Sequence, residues 1–68
     1  MKIKINNQFF EFIAAPTVQE LIQYVFPSGD FAGMALAVNQ TVIPKSQWDS
    51  LLIHENDQID IIKATQGG

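Results

Sequence analysis

The chain begins with two short runs in which apolar and polar residues alternate. Residues 1–5 place apolar side chains on one face and two lysines on the other, which is the period of a half-buried strand. Residues 6–8 are polar and tolerate turn conformations, and residues 9–13 resume a β-prone run. The pattern therefore predicts a β-hairpin at the start of the chain.

The hydrophobic period changes from two to nearly four after Pro16. Thr17 and Glu20 have the spacing of a capping box, in which each side chain accepts a hydrogen bond from a free amide group of the other residue. The apolar residues that follow, spaced for one face of a helix, are Val18, Leu21, Ile22 and Val25. Pro27 ends the pattern, so we expect a helix of two to three turns that packs on the sheet.

Shorter apolar runs fill the second half of the chain. Residues 35–39 place larger apolar side chains on one face and two alanines on the other, which predicts a strand with a flat outer surface. Residues 42–43 predict a short strand, and a single helical turn is expected before Trp48, which we expect to close one end of the core. Residues 58–63 predict the last strand, with alternate isoleucines facing inward.

This order of elements predicts an α+β fold. A right-handed crossover through the helix places the last strand beside the first, in the middle of a mixed sheet of four to five strands with one main helix packed across it. That arrangement is the β-grasp, or ubiquitin-like, fold. We expect residues 1–63 to form this domain and residues 64–68 to form a flexible C-terminal tail ending in Gly-Gly.

Composition limits the classes of function that the chain can perform. At 68 residues it has room for one small domain, and its 47% hydrophobic content supplies one core. The absence of cysteine removes disulfides and thiolate chemistry, and a single histidine makes a metal site unexpected. A net charge of −3 disfavours nucleic-acid binding. No signal-peptide core or membrane-length apolar run is present, so we expect a cytoplasmic protein.

The end of the chain carries the clearest chemical signal. Gly67 and Gly68 lack side chains that would crowd a reacting carboxylate, and they permit backbone conformations closed to other residues. Thr65 and Gln66 add neutral hydrogen-bonding groups without charge. We expect these four residues to thread into the active sites of partner proteins and to present the Gly68 carboxylate. The competing interpretation is an ordinary frayed terminus.

Other candidate residues give weaker indications of function. His54 has no nucleophile or acid at a recognisable spacing, so we interpret it as a solvated loop residue. The acidic residues Asp49, Glu55, Asp57 and Asp60 alternate between turns and the outer face, as solvated surface charges commonly do. The sequence offers no credible catalytic acid, base or nucleophile, and we expect no enzymatic activity of its own.

An apolar surface near the last strand is a candidate for docking a partner. We expect Met34, Ala37 and Ile62 to form it, because the tail follows directly after Ile62 and its neighbour. Scattered apolar residues on a surface are common, which is the alternative interpretation.

Several segments together resemble one family. The chain is similar to the sulfur-carrier proteins of thiamine biosynthesis, a ubiquitin-like family. The matching segments are Thr17-Val18-Gln19-Glu20-Leu21, Ala35-Leu36-Ala37-Val38-Asn39, Val42-Ile43-Pro44-Lys45, Trp48, Asp57-Gln58-Ile59 and Gly67-Gly68. Where the family commonly has Gly-Asp before the last strand, this chain has Asn56-Asp57, and asparagine also tolerates positive φ.

The resemblance implies a two-step cycle at the C-terminus. An ATP-dependent adenylating enzyme of the ubiquitin-activating type converts the Gly68 carboxylate to an acyl-adenylate. Sulfur from a donor such as a cysteine desulfurase then displaces AMP, and the thiocarboxylate gives its sulfur to thiazole synthase. The carrier binds no cofactor itself, because the partner enzyme uses the ATP. We expect a monomer when free, with no nucleic-acid or membrane partner.

Three alternatives share parts of this interpretation. A molybdopterin synthase small subunit uses the same terminal chemistry with a different recipient. A ubiquitin-like modifier joins its terminus to lysines. A β-grasp interaction module uses its surface alone, and deleting Gly67 and Gly68 would leave its activity intact.

Overall fold

The computed structural model of the chain describes residues 1–27, 29 and 31–63. Within these residues, the elements in chain order are β1 (Lys2–Ile5), β2 (Gln8–Glu11), α1 (Val18–Val25), β3 (Met34–Val38), β4 (Thr41–Val42), a 3-10 helix (Lys45–Gln47) and β5 (Gln58–Lys63).

These strands form one mixed sheet with the order β2-β1-β5-β3-β4. The first and last strands are neighbours in its centre and run parallel, while the other neighbouring pairs are antiparallel. The central position of β5 confirms the sequence prediction. A parallel pair needs a long connection, which the helix and the remaining strands supply.

The N-terminal hairpin turns through two asparagines. Asn6 and Asn7 both have positive φ, at 50° and 66°, which suits a two-residue turn that follows the natural twist of the strands. Asparagine is among the residues that tolerate this region best. The second strand begins at Gln8 and ends at Glu11, earlier than the predicted residues 9–13, because the tight turn brings Gln8 directly opposite Ile5.

The helix begins as the capping box predicts. The Thr17 Oγ1 atom accepts a hydrogen bond from the Glu20 amide at 3.1 Å, and the Glu20 carboxylate accepts one from the Thr17 amide at 2.9 Å. The next two amide groups, of Val18 and Gln19, donate to the carbonyl oxygens of Leu51 and Trp48. The free amides of the first turn are therefore satisfied partly by the loop that precedes β5.

One core lies between the helix and the sheet. Its buried members are Ile3, Ile5, Val18, Leu21, Ile22, Met34, Leu36, Trp48, Ile53, Ile59 and Ile61. The Trp48 side chain is 2% exposed, and its indole N–H donates to the Ile43 carbonyl at 2.9 Å. The predicted role of Trp48 in closing the core is confirmed.

Two strands in the second half differ slightly from the predicted bounds. The third strand begins at Met34 instead of residue 35, because the Met34 backbone pairs with Lys63 at the end of β5. The short fourth strand covers Thr41–Val42 instead of residues 42–43. Between these strands, Asn39 and Gln40 form the predicted turn, with φ values of 50° and 73°.

Candidate functional site

The strand that leads to the C-terminus is the part of the predicted site that the structure describes. It ends at Lys63, and the predicted tail residues Thr65, Gln66, Gly67 and Gly68 lie outside the described residues. Their roles and the division of the chain at residue 64 therefore stay predictions. The structure shows how β5, the strand that precedes these residues, is held in the sheet.

Strand β5 is paired with a neighbouring strand on both sides along its first part. The Gln58 and Ile59 positions pair with β1, and five residues from Ile59 to Lys63 pair with β3. The side chains of Ile59 and Ile61 are 0% and 8% exposed and anchor the strand in the core. A strand that is paired and buried in this way gives the following chain a defined starting point.

The outer face of the sheet carries an apolar surface beside the end of β5. Cross-strand partners share a face, and the register places Ile62 opposite Ala35 and Ala37 opposite Val42. The side chains of Ile62 and Val42 are 64% and 67% exposed. We call these four residues the outer patch. The small side chains of the two alanines make the centre of the patch flat, and the larger side chains of Ile62 and Val42 lie at its edges.

The remainder of the outer face is polar apart from one aromatic ring. The Nζ atoms of Lys2 and Lys4 lie 5.4 and 5.8 Å from the centre of the Phe9 ring, within the range of cation–π contact. Glu11 lies opposite Lys2, and Asp60 lies opposite Ala37. The register therefore places the acidic Asp60 directly beside the outer patch, while the two lysines and Glu11 lie farther away on β1 and β2.

The prediction that Met34 belongs to the docking surface is wrong. Its side chain is 5% exposed and packs in the core. Met34 has the same parity as Leu36 along β3, so strand alternation directs both side chains inward. Ala37 and Ile62 do lie together on the outer face as predicted, and Ala35 lies on the flat outer surface expected of its strand. Val42 is the neighbour that the sequence interpretation missed.

The loop before β5 contains His54 and two of the predicted surface acids. The His54 side chain is 76% exposed, and its Nδ1 atom lies 3.9 Å from the Asp57 carboxylate. Asp57 accepts hydrogen bonds from the His54 amide and from the Asn39 side chain, at 2.8 and 3.0 Å. The Asn39 Oδ1 atom in turn accepts from the Gln58 amide at 3.0 Å. These contacts tie two turns together and account for Asp57 as a structural residue.

Two further properties bear on candidate sites. Across residues 1–27, 29 and 31–63, no three His, Cys, Asp or Glu side chains are grouped so that they could hold a metal ion. In the same part of the chain, no helix combines the length and apolar character that crossing a membrane requires.

Comparison with known proteins identifies the family. The family model described as "ThiS family" matches residues 3–68. The chain is 35% identical to the sulfur carrier protein ThiS of Escherichia coli strain K12 over 68 residues, which cover 100% of this chain and 100% of that protein.

Solved structures show the same fold. The crystal structure of the thiamine biosynthesis protein ThiS from Geobacter metallireducens matches with a TM-score of 0.80 at 16% identity, and the match covers 100% of both chains. The NMR structure of a thiamine biosynthesis protein from the same organism gives the same score and identity, covering 100% of this chain and 88% of the other. The predicted β-grasp fold is confirmed. Because the family model and the full-length relative agree with the resemblance found in the sequence, the chain belongs to the ThiS family.

Proposed function

We propose that this protein carries sulfur as a thiocarboxylate on Gly68 for the formation of the thiazole ring of thiamine. The observation that supports this most is the full-length similarity to a sulfur carrier protein, in a chain that ends with Gly-Gly. The names of the relatives refer to thiamine biosynthesis, which favours thiazole synthase over molybdopterin synthase as the recipient.

The proposed chemistry first activates the Gly68 carboxylate and then replaces one of its oxygens with sulfur. A Gly68 carboxylate oxygen bonds to the α-phosphorus of ATP in the adenylating enzyme, and pyrophosphate leaves. The terminal sulfur of a donor persulfide, such as that of a cysteine desulfurase, then bonds to the carboxyl carbon, and AMP leaves with the oxygen. A thiol cleaves the resulting sulfur–sulfur bond by forming a disulfide with the donor cysteine, and the thiocarboxylate stays on Gly68. Because the chain has no cysteine, its own side chains offer no thiolate to hold the sulfur.

The protein acts in this scheme as a co-substrate. It binds no cofactor, and the ATP belongs to the adenylating enzyme. Residues 1–63 form the domain that the partner enzymes bind. Residues 64–68 form a tail, of which Thr65, Gln66 and Gly67 enter the active site of the partner enzyme. The scheme places the protein in the cytoplasm as a free monomer.

The outer patch is the proposed docking surface for the adenylating enzyme. Exposed apolar groups that adjoin one another are typical of interaction sites. The patch also includes Ile62, which lies next to the last described residue, Lys63. An enzyme that grips this face holds the carrier close to the point where the tail begins.

Pyrophosphate release with the adenylating enzyme tests the terminal chemistry. We expect the wild-type chain with ATP and the sulfur donor to support continuous release, and a chain that lacks Gly68 to support none. Equal rates from both chains would contradict the proposal and favour an interaction module.

Kinetics of an outer-patch variant test the docking surface separately. We expect Ile62→Asp to raise KM for the carrier by about tenfold, since the change places a charge in an apolar contact. Ile13→Asp is the matched control, because Ile13 is 106% exposed and lies outside the strands of the sheet. An unchanged KM for Ile62→Asp, or an equal rise for the control, would exclude this surface.

A further inference from the structure

The side chain of Asn6 makes a double hydrogen bond with the backbone of Ile61. The Asn6 Oδ1 atom accepts from the Ile61 amide at 2.8 Å, and its Nδ2 group donates to the Ile61 carbonyl at 3.3 Å. The two residues are 55 positions apart, so the contact joins the first hairpin turn to the strand that leads to the C-terminus.

This contact extends the central parallel ladder where the backbone of β1 turns away. The Asn6 amide donates to the Ile59 carbonyl at 2.9 Å, which is the last backbone bond between the two strands. At Asn6 the chain enters the turn with a φ of 50°, and the paired register of the two strands ends at Ile5 and Ile59. The side-chain amide continues the pairing because asparagine offers both a donor and an acceptor.

The location of the contact determines how firmly the end of β5 is held. Beyond Ile59, β5 has backbone pairing with β3 on one side, while its other side is met by the Asn6 amide. Without that amide, the last residues of β5 would be held along one edge and would tilt more freely. The orientation of the end of β5 therefore depends in part on a residue of the first turn.

We propose that Asn6 is a positioning residue that orients the end of β5, so that the terminus reaches the reacting phosphate of a docked partner enzyme. This inference rests on the proposed function. A displacement of about 1 Å at a reacting group can lower a rate by about a hundredfold. The Asn6 amide acts on the orientation of the tail, whereas the outer patch acts on docking.

Glycine substitution separates the side-chain contact from the shape of the turn. Asn6→Gly keeps a residue that accepts positive φ and removes the amide. Asn7→Gly is the matched control, since Asn7 has a φ of 66° in the same turn and its side chain forms no hydrogen bond with the described part of the chain. Any general effect of glycine on the turn should appear in both variants.

Amide hydrogen exchange measures the contact in the free protein. We expect Asn6→Gly to accelerate exchange at the Ile61 amide by about fivefold or more, because it loses a hydrogen-bond acceptor. Exchange at the Leu21 amide, which donates to the Thr17 carbonyl at 2.9 Å in the helix, should stay unchanged and reports that the fold is intact. Unchanged Ile61 exchange in Asn6→Gly overturns the proposal.

Steady-state pyrophosphate release then separates positioning from a purely structural role. At a temperature where both variants are fully folded, we expect Asn6→Gly to lower kcat by about tenfold or more with KM changed less than about twofold. Asn7→Gly should match the wild type. Faster Ile61 exchange with unchanged kcat would show that the contact is structural only and would overturn the proposal.

Two remaining outcomes are also decisive. If Asn6→Gly does not fold, Asn6→Asp replaces it, because this variant keeps the Oδ1 acceptor and loses the Nδ2 donor. We expect the kcat of Asn6→Asp to fall by about threefold. An unchanged kcat in this variant overturns the proposal.

If the wild-type chain releases no pyrophosphate, the proposed function itself fails and the role of Asn6 fails with it. That result is distinguished by the wild-type rate alone.

Discussion

The position of a residue along a strand, odd or even, decides whether its side chain faces the core or the surface. Met34 and Ile62 are both large and apolar, and both lie near the end of the β3–β5 ladder. Met34 faces inward with Leu36, and Ile62 faces outward with Ala35. Once the first residue of the strand is known, alternation along the strand is sufficient to assign the two side chains to opposite faces. The sequence left the start of β3 uncertain, and this uncertainty caused the error for Met34.

The same comparison predicts different effects on stability. Met34→Ala should lower the free energy of unfolding by about 2–3 kcal/mol, because it leaves a cavity in the core. Ile62→Ala should change it by less than about 0.5 kcal/mol, as is usual for an exposed residue. Urea denaturation measures both values. Equal losses from the two variants would contradict the assignment of opposite faces.

Asn56 provides a second prediction at the residue scale. Its φ is 73° in the turn before β5, where a residue with a Cβ and no local hydrogen bonding is strained. We expect Asn56→Ala to cost about 1 kcal/mol of stability, and Asn56→Gly to stay within about 0.5 kcal/mol of the wild type. Thermal unfolding of both variants tests this. A stable alanine variant would show that the backbone is not constrained there.

At the scale of elements, the helix was predicted well because its signals are local. The capping box, the spacing of apolar residues and Pro27 all lie within about three turns of chain, and the structure places the helix at Val18–Val25. The hydrogen bonds that the Val18 and Gln19 amides make with the loop before β5 had no comparable local signal. They depend on contacts between segments about 30 residues apart, which only the folded chain brings together.

The helix cap yields a stability prediction of its own. Thr17→Ala removes the hydroxyl that accepts from the Glu20 amide, and it should cost about 1 kcal/mol. Thr17→Ser keeps the hydroxyl and should recover most of this loss. Chemical denaturation of the two variants gives the comparison. If serine and alanine destabilise the protein equally, the loss arises from packing of the threonine methyl group instead of the cap.

At the scale of the whole molecule, the sheet order followed from general rules of chain topology. A right-handed crossover and a hydrophobic last strand were enough to place β5 beside β1 in the centre. The contact between Asn6 and Ile61 was not predictable, because a turn asparagine has the same sequence signature whether or not its amide binds a distant strand. The outer patch was found only in part, since its membership depends on the register of three strands.

This architecture suits a carrier whose reacting group lies at the end of the chain. A central strand anchored by Ile59 and Ile61 continues toward the terminus, and the outer patch adjoins its last residues. In the proposed function, partner enzymes recognise the folded domain, and the tail presents the reacting group. The chemistry itself is proposed for Gly68.

Intact-mass measurement tests that claim most directly. The chain is incubated with ATP, the adenylating enzyme and a sulfur donor, and its mass is compared with that of the same chain lacking Gly68. We predict that the full chain gains the mass difference between sulfur and oxygen and that the shortened chain gains nothing. A full chain that keeps its original mass while the adenylating enzyme and donor are active would contradict the account.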